Sequence, residues 1–380
     1  MKIAYCIPSL YISGGMERVL TIKANYFADE LGYDVTIIMT DGGMKPPYYE
    51  LSPKVHLIQL NIDFEVLWTL PLFKKALVYL EKQRLYRRKL TECLLRLKPD
   101  ITVSMLRREI NFICDIHDGS IKIGEIHINR DNFRDFDGRD KNPIKKLASE
   151  IWMKQLIRQL KRLRLFVCLT EEDKAKWTEL DNVIVMPNPL SFNTKNYSNC
   201  EKKRVIAVGR YVHEKGFDML IKAWSSIVVK HPDWNLYGYG KGDRTLYQNI
   251  VEQLHVERSC HLNGEEKQIE KQYVESSIYM LSSRFEGFGL VLLEAMSCGI
   301  PPVAFSCPYG PKAIIKDGVD GYLVENGNIK QLADKVNYLI EHNDIRKMMG
   351  RNAGETAKKY NINCVGGKWN EIFENLLKEK

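Results

Sequence analysis

KIAYCIPSLYISGGMERVLTIKANYFADELGYDVTIIMT, residues 2–40, holds the pattern that decides the fold. KIAYCIP (2–8) is short and almost wholly apolar, as a strand covered on both faces requires. A stretch of helical period follows from about Gly15 to Leu31, and DVTIIMT (34–40) is apolar and β-branched again. Strand, helix and strand in so short a span make a βαβ unit, and a chain of such units predicts a parallel sheet. The alternation continues through ITVSM (101–105), KIGEIHI (122–128), LFVCL (165–169) and NVIVMP (182–187). A polar, Asn- and Ser-rich stretch then breaks the rhythm, and residues 191–203 read as a linker. Strand-like runs restart with RVIAVG (204–209), WNLYGYG (234–240), HLNG (261–264), IYMLSS (278–283), PPVAFS (301–306) and GYLV (321–324). From Asn328 onward the pattern is helical. The expected architecture is α/β, with two Rossmann-like, doubly wound parallel-sheet domains at 1–190 and 204–360 facing across a cleft. A C-terminal helix at 361–380 is available to pack back on the first domain. The length of 380 residues agrees, because single cores stop growing at roughly 250–300 residues.

Composition is that of an ordinary globular protein, 44% hydrophobic and 27% charged, which excludes collagen-like, disordered and disulfide-scaffold classes. The nine cysteines are odd in number and none form a C-x-x-C pair, so neither a zinc cluster nor a redox pair is expected. They read as small buried hydrophobes in a reducing compartment. The N-terminus lacks the long apolar core of a signal peptide, and no run is long enough to span a bilayer. A cytoplasmic location is expected, with any membrane contact peripheral on the inner face.

In open α/β sheets ligands bind beyond the carboxyl ends of the strands, so strand-to-helix turns carry the most weight. Three stand out. Ser13-Gly14-Gly15-Met16-Glu17-Arg18 places two glycines before a helix, a phosphate-binding geometry and equally a plain tight turn. Val208-Gly209-Arg210 to Lys215-Gly216-Phe217 sets a guanidinium and an ammonium five residues apart at a strand end. They suit a diphosphate, the Arg as a fork and the Lys as a point charge, unless both are solvated surface cations. Ser283-Arg284-Phe285-Glu286-Gly287-Phe288-Gly289-Leu290 leads into a helix that carries Glu294 among Leu292, Leu293, Ala295 and Met296. A carboxylate in so apolar a segment needs a partner, which sugar hydroxyls would supply. The backbone amides from Gly287 to Leu290 are available to a ligand.

The spacing E-G-F-G-L-x-x-x-E-A-M resembles the E-x7-E signature of glycosyltransferase family 4, retaining enzymes of the GT-B fold. V-G-R-x-x-x-x-K-G-F, G-G-M-E-R-V-L and the segment GPKAIIKDGVDGYLV (310–324) are similar to that family's other motifs. The resemblance covers most of 204–343 but is confined to a few strand ends in the first domain. It implies that Arg210 and Lys215 hold the donor diphosphate and that Glu294 binds the donor ribose. It also implies that Glu286, with the amides of Gly287, Phe288 and Gly289, holds the transferred sugar, and that Gly14 and Gly15 approach the diphosphate. Tyr239, Gly240, Asn263 and Gly264 match the nucleobase region, and His127 matches a histidine near the reacting centre. The implied catalytic set is His127, Glu286, Arg210 and Lys215. The implied reaction moves a hexose or N-acetylhexosamine from a UDP-sugar to a glycan or polyprenyl-diphosphate-linked acceptor in surface-polysaccharide synthesis, including lipopolysaccharide.

The cations Arg210 and Lys215 can stabilise the leaving diphosphate, so no cofactor and no metal are expected. The single D-x-D, Asp135-Phe136-Asp137, lies in a charged loop and reads as solvated. The formal charge of +8 is uneven: 74–98 and 141–164 each carry +7, leaving −6 on the rest. Both segments read as helices, docked with a solvated basic face or attached to an anionic membrane surface. In the first, Tyr86, Leu90, Cys93, Leu94 and Leu97 form the apolar stripe; in the second, Ile151, Trp152, Leu156, Leu160 and Leu163 do. Arg107 and Arg108 follow ITVSM and are candidates for an acceptor phosphate. Nucleic acid is disfavoured, since no reader motif or aromatic platform accompanies the basic runs. Two other readings stand beside the transferase. A sugar-nucleotide epimerase or hydrolase of similar fold would consume donor without acceptor. A non-catalytic sugar-nucleotide binding module would more naturally have lost Glu286 or Lys215.

Overall fold

A computed structural model describes residues 1–132, 143–192 and 194–379. The chain forms two compact units, Met1–Pro189 with Ile362–Lys380, and Leu190–Asn361. Each is built on a wholly parallel sheet.

The first unit holds β1 (Lys2–Ile7), β2 (Asp34–Met39), β3 (His56–Gln59), β4 (Ile101–Ser104), β5 (Ile121–Glu125), β6 (Leu165–Cys168) and β7 (Val183–Val185). Their order across the sheet is β3-β2-β1-β4-β5-β6-β7. The register pairs Ile3 with both Val35 and Ile101. Strand alternation divides the core in two. Ile3, Tyr5 and Ile7 face a layer made by α1 (Gly15–Asp29) and the C-terminal helix Ile362–Lys378. Ala4 and Cys6 face the layer of α2 (Leu72–Leu97) and α3 (Pro143–Leu160). The short α4 (Glu171–Lys174) begins at Thr170, whose hydroxyl accepts from the Asp173 amide as an N-cap.

The second unit orders β8 (Arg204–Val208), β9 (Asn235–Tyr239), β10 (Cys260–Asn263), β11 (Ile278–Leu281), β12 (Pro302–Phe305) and β13 (Tyr322–Val324) as β10-β9-β8-β11-β12-β13. Its helices are α5 (Phe217–Lys230), α6 (Thr245–Gln253), α7 (Ile269–Val274), α8 (Leu290–Ser297), α9 (Gly310–Ile314), α10 (Ile329–Glu341) and α11 (Asn343–Lys358). The C-terminal helix is α12. Phe217, Leu220 and Trp224 of α5 meet Leu332, Val336 and Leu339 of α10 over one face of the sheet.

In both sheets the first strand sits between neighbours reached by connections in opposite directions. These are the switch points, β1 beside β4 and β8 beside β11, where the crossover helices diverge and leave a crevice at the carboxyl ends.

Three local readings change. Of residues 191–203, read as a linker, the described ones belong to the second unit: Cys200 is buried, and its carbonyl accepts from Arg346 Nε at 2.9 Å. Ile151 and Trp152, read as part of the α3 core stripe, are 58% and 42% exposed, while Leu156, Leu160 and Leu163 are buried. β3 is an additional edge strand that its short HLIQ run did not announce. Asp135 and Asp137 lie outside the described residues, as does the start of the 141–164 basic segment. All nine cysteines are free thiols and seven are buried. Among the described residues no helix is long and apolar enough to cross a membrane.

Candidate functional site

In the second unit the switch point brings two of the three motifs together. The turn after β8 ends in Lys215 and Gly216, and the turn after β11 carries Ser283 to Gly289. Lys215 Nζ lies 2.6 Å from Glu286 Oε1, and Ser283 Oγ donates to the same oxygen at 2.7 Å. Glu286 is buried, and this cation and hydroxyl help offset the cost of placing a carboxylate there. An ammonium has three donors, so Lys215 keeps capacity for a further acceptor.

The two turns are stapled. Arg284 makes a forked pair with Asp218 at the start of α5, at 2.9 and 2.7 Å, and donates to the His213 carbonyl at 2.6 Å. Gly216 has φ +64°, and a Cβ there would stand 2.0 Å from the Ser282 carbonyl oxygen. Only glycine permits that approach. Gly240 is equally confined: a Cβ would stand 1.8 Å from the Gly209 carbonyl, so the ends of β8 and β9 touch.

Glu294 projects from α8 and is also buried, with Tyr273 Oη donating to Oε2 at 3.1 Å. Burial pushes the Tyr273 phenol far up, and Glu294 adds to it. Tyr279 of β11 is raised in the same way by burial and then by Glu286 and Glu294. The two carboxylates of the E-x7-E spacing thus act on one buried ring. Gly289 caps α8, with the backbone of Gly287, Phe288 and Leu290 around it. The Phe288 side chain turns inward against Tyr360, so backbone is what this residue can offer a ligand. Glu286 also bridges to Tyr309, whose φ +77° and ψ −74° form a tight γ-turn ahead of α9.

Arg210 is exposed, past the end of β8. Asn263 Nδ2 donates to the Gly238 and His261 carbonyls, and Tyr211 Oη donates to the Asn263 carbonyl. The Gly240 amide donates to Gly264. Tyr239 is spent elsewhere, its hydroxyl 2.8 Å from both Arg204 Nη2 and Gln272 Oε1.

In the first unit the switch point places Gly14 and Gly15 at the start of α1, with the Glu17 carboxylate folded over Gly14. Burial raises the Glu17 carboxyl, and Arg107 and His127 pull it back. His127 follows β5, and its side chain is 8% exposed. Its Nε2 is 3.1 Å from Glu125 Oε1, close enough for ion pairing but outside hydrogen-bonding geometry; Nδ1 is buried without a hydrogen-bond partner. Glu125 is clasped by Lys23 Nζ at 2.5 Å to each oxygen. Lys23 is fully buried, 4.4 Å above the Trp369 ring. Burial works to raise the Glu125 carboxyl, but Lys23 and His127 overcome it and hold it at about 2. Arg107 and Arg108 diverge. Arg107 Nη2 lies 3.7 Å from Met16 Sδ, whereas the Arg108 guanidinium stacks on Phe64 at 4.2 Å.

Residues 192–356 match the family profile described as Glycosyl transferases group 1. Over 384 aligned positions the chain is 30% identical to an uncharacterised glycosyltransferase of Haemophilus influenzae, covering 98% of this chain and 99% of that one. The chain belongs to the glycosyl transferases group 1 family. It is also 32% identical to the amylovoran biosynthesis glycosyltransferase AmsD of Erwinia amylovora, over 54% of this chain and 61% of AmsD. Its fold is that of Staphylococcus aureus TarM, solved with fondaparinux, α-GlcNAc-glycerol and UDP, at a TM-score of 0.77. That likeness covers 98% of this chain and 99% of TarM at 17% identity, and speaks for the GT-B fold alone.

In this glycosyltransferase, sequence reasoning singled out Lys215, Glu286 and Glu294 as candidates but not the side chains that surround them. Ser283 and Tyr273 were readable only as a strand-end hydroxyl and a helix aromatic. Lys23, Glu125 and Glu17 carried no signal, because a lone charged residue in a helix or strand pattern reads as surface.

Proposed function

We propose that the chain is a retaining transferase of the family 4 type. In this reading it uses a UDP-linked hexose or N-acetylhexosamine, and a glycan or polyprenyl-diphosphate-linked acceptor in surface-polysaccharide synthesis. The observation that carries the reading is the Lys215–Glu286–Ser283 cluster at the switch point beside the start of α8. Lys215, Arg210 and the amides of the α8 turn place positive charge where a leaving diphosphate would gather negative charge. Glu286 would hold the transferred sugar and Glu294 the ribose. Same-face attack assisted by the leaving phosphate would retain configuration without a protein nucleophile. In the first unit His127, backed by Glu125, is assigned to the hydroxyl chemistry of the sugar. The relatives support the donor and pathway: TarM was solved with UDP, and AmsD is named for amylovoran biosynthesis.

The test is Glu286→Gln and Lys215→Ala, assayed with a panel of UDP-sugars. Each is expected to lower kcat by at least about a hundredfold, the scale of losing an electrostatic contact to the transition state. Full activity in either variant would overturn the assignment. EDTA is expected to leave the rate unchanged, because protein cations serve the leaving group; loss of activity that Mg²⁺ restores would contradict this. Donor consumption without acceptor would favour the hydrolase reading instead.

The basic segments 74–98 and 141–164 are proposed to hold the enzyme on an anionic membrane surface. Binding to anionic vesicles should weaken with salt.

A further inference from the structure

Helix α2 has two apolar faces where the sequence showed one. Tyr86, Leu90 and Leu94 point into the core, as do Phe64 and Leu67 from the turn before the helix. A second set points away. Trp68 is 77% exposed, Phe73 92%, Leu77 72% and Leu80 53%. Phe73, Leu77 and Leu80 are spaced i, i+4, i+7, so they form one ridge. Lys75 lies over the Trp68 ring at 5.5 Å, which sets Trp68 beside the first turn of the helix. Large apolar side chains scattered singly need no explanation, but an ordered ridge rimmed by charge does.

The same helical line continues as Arg84, Arg87 and Arg88, all exposed, with Arg87 turned to Asp115 at 3.3 Å. One helix face is therefore divided along its length, apolar at the N-terminal end and cationic beyond. That division selects the partner. Phe, Trp and Leu beside Lys and Arg match the boundary between acyl chains and anionic headgroups, where such residues sit roughly 5–10 Å deep. The short Lys74 and Lys75 flank is suited to snorkelling, stem in the apolar layer and ammonium in the headgroups.

We propose that Phe73, Leu77, Leu80 and Trp68 insert into the acyl–headgroup boundary of an anionic bilayer, with Arg84 and Arg88 on the phosphates. The proposal rests on the membrane reading above and adds a hydrophobic anchor to its electrostatics. The experiment is sedimentation of the full chain with vesicles of phosphatidylcholine, with and without phosphatidylglycerol, at low and high salt. Two double variants are compared with the unchanged chain, F73S/L77S and R84E/R88E. Both alter exposed side chains, and unchanged thermal melts confirm that they fold. The unchanged chain is expected to keep a fraction bound to anionic vesicles at high salt. F73S/L77S is expected to bind about tenfold or more weakly and to lose that fraction. R84E/R88E is expected to lose the salt-sensitive part. Wild-type binding by F73S/L77S would overturn the anchor and leave the electrostatic reading standing. No vesicle binding by the unchanged chain would overturn both. Vesicle-independent self-association that F73S/L77S abolishes would make the ridge an interface between copies and refute the proposal.

Discussion

Lys23, Glu125 and His127 show how far a single position depends on distant chain. Lys23 lies about two turns into α1, where an amphipathic pattern would leave its ammonium solvated; instead it is buried under Trp369, which lies 346 positions later. Removing one partner of such a pair leaves the other charged and buried, so Lys23→Met should cost about 3–5 kcal/mol in urea unfolding. Lys23→Met combined with Glu125→Gln should recover most of that loss. The pH dependence has a definite sign. The Glu125 carboxyl is held at about 2 in the fold, below its ordinary value of 4.5. It therefore stabilises the fold above 4.5 and ceases to as pH falls toward about 2. Glu125→Gln should flatten the stability slope in that window, measured as urea midpoints across pH. On its proposed role, His127→Ala should lower kcat with a smaller change in the melt than Lys23→Met, since Lys23 is the stronger of the two holds on Glu125. Glu286 and Lys215 were legible because strand-end turns rich in glycine expose their chemistry locally. Their contact was not legible, because it joins residues 71 apart.

At the scale of elements, the turns after β8 and β11 behave as one part. Gly216 lies against the Ser282 carbonyl, and Arg284 ties β11's turn to α5. Gly216→Ala should force the turns apart and cost on the order of 3 kcal/mol, or about 6–12 °C in Tm. Arg284→Lys should cost less stability, since one ammonium replaces part of a forked pair with Asp218. On the proposed donor, both should weaken protection by UDP in thermal melts more than a surface substitution does. The helical and strand periods announced nearly every element here. They could not announce which face of α2 or α3 the core would cover: Ile151 and Trp152 fit the α3 stripe by spacing and still lie outside it. Spacing sets which side chains share a face, and the neighbours decide whether that face is closed.

Across the whole molecule, the chain returns to its first unit. α12 supplies Val365, Trp369 and Phe373 to the layer over β1, with Phe373 against Phe27 at a centroid distance of 5.5 Å. Each large apolar side chain buried there contributes about 1.5–3 kcal/mol. Truncation after Asn361 should therefore unfold the first unit while leaving the second, whose residues end at Asn361, able to melt cooperatively. Calorimetry would show one transition lost; two unchanged transitions would contradict this division. The positive charge is equally a property of the whole, gathered on two segments of the first unit against a net-negative remainder.

The sequence by itself determined the class of the fold and the places where chemistry can sit. Apolar β-branched runs alternating with helical period dictate parallel strands and crossover helices, and glycine-rich turns after strands carry Lys215, Glu286, Gly14 and Gly15. Those are local consequences of backbone geometry. The tertiary structure alone decided the strand order, the Lys215–Glu286 contact, the burial of Lys23 and the open ridge of α2. Each depends on which distant segment covers a residue, and a charge or a leucine is stabilised or left exposed by that cover rather than by its own neighbours in the chain.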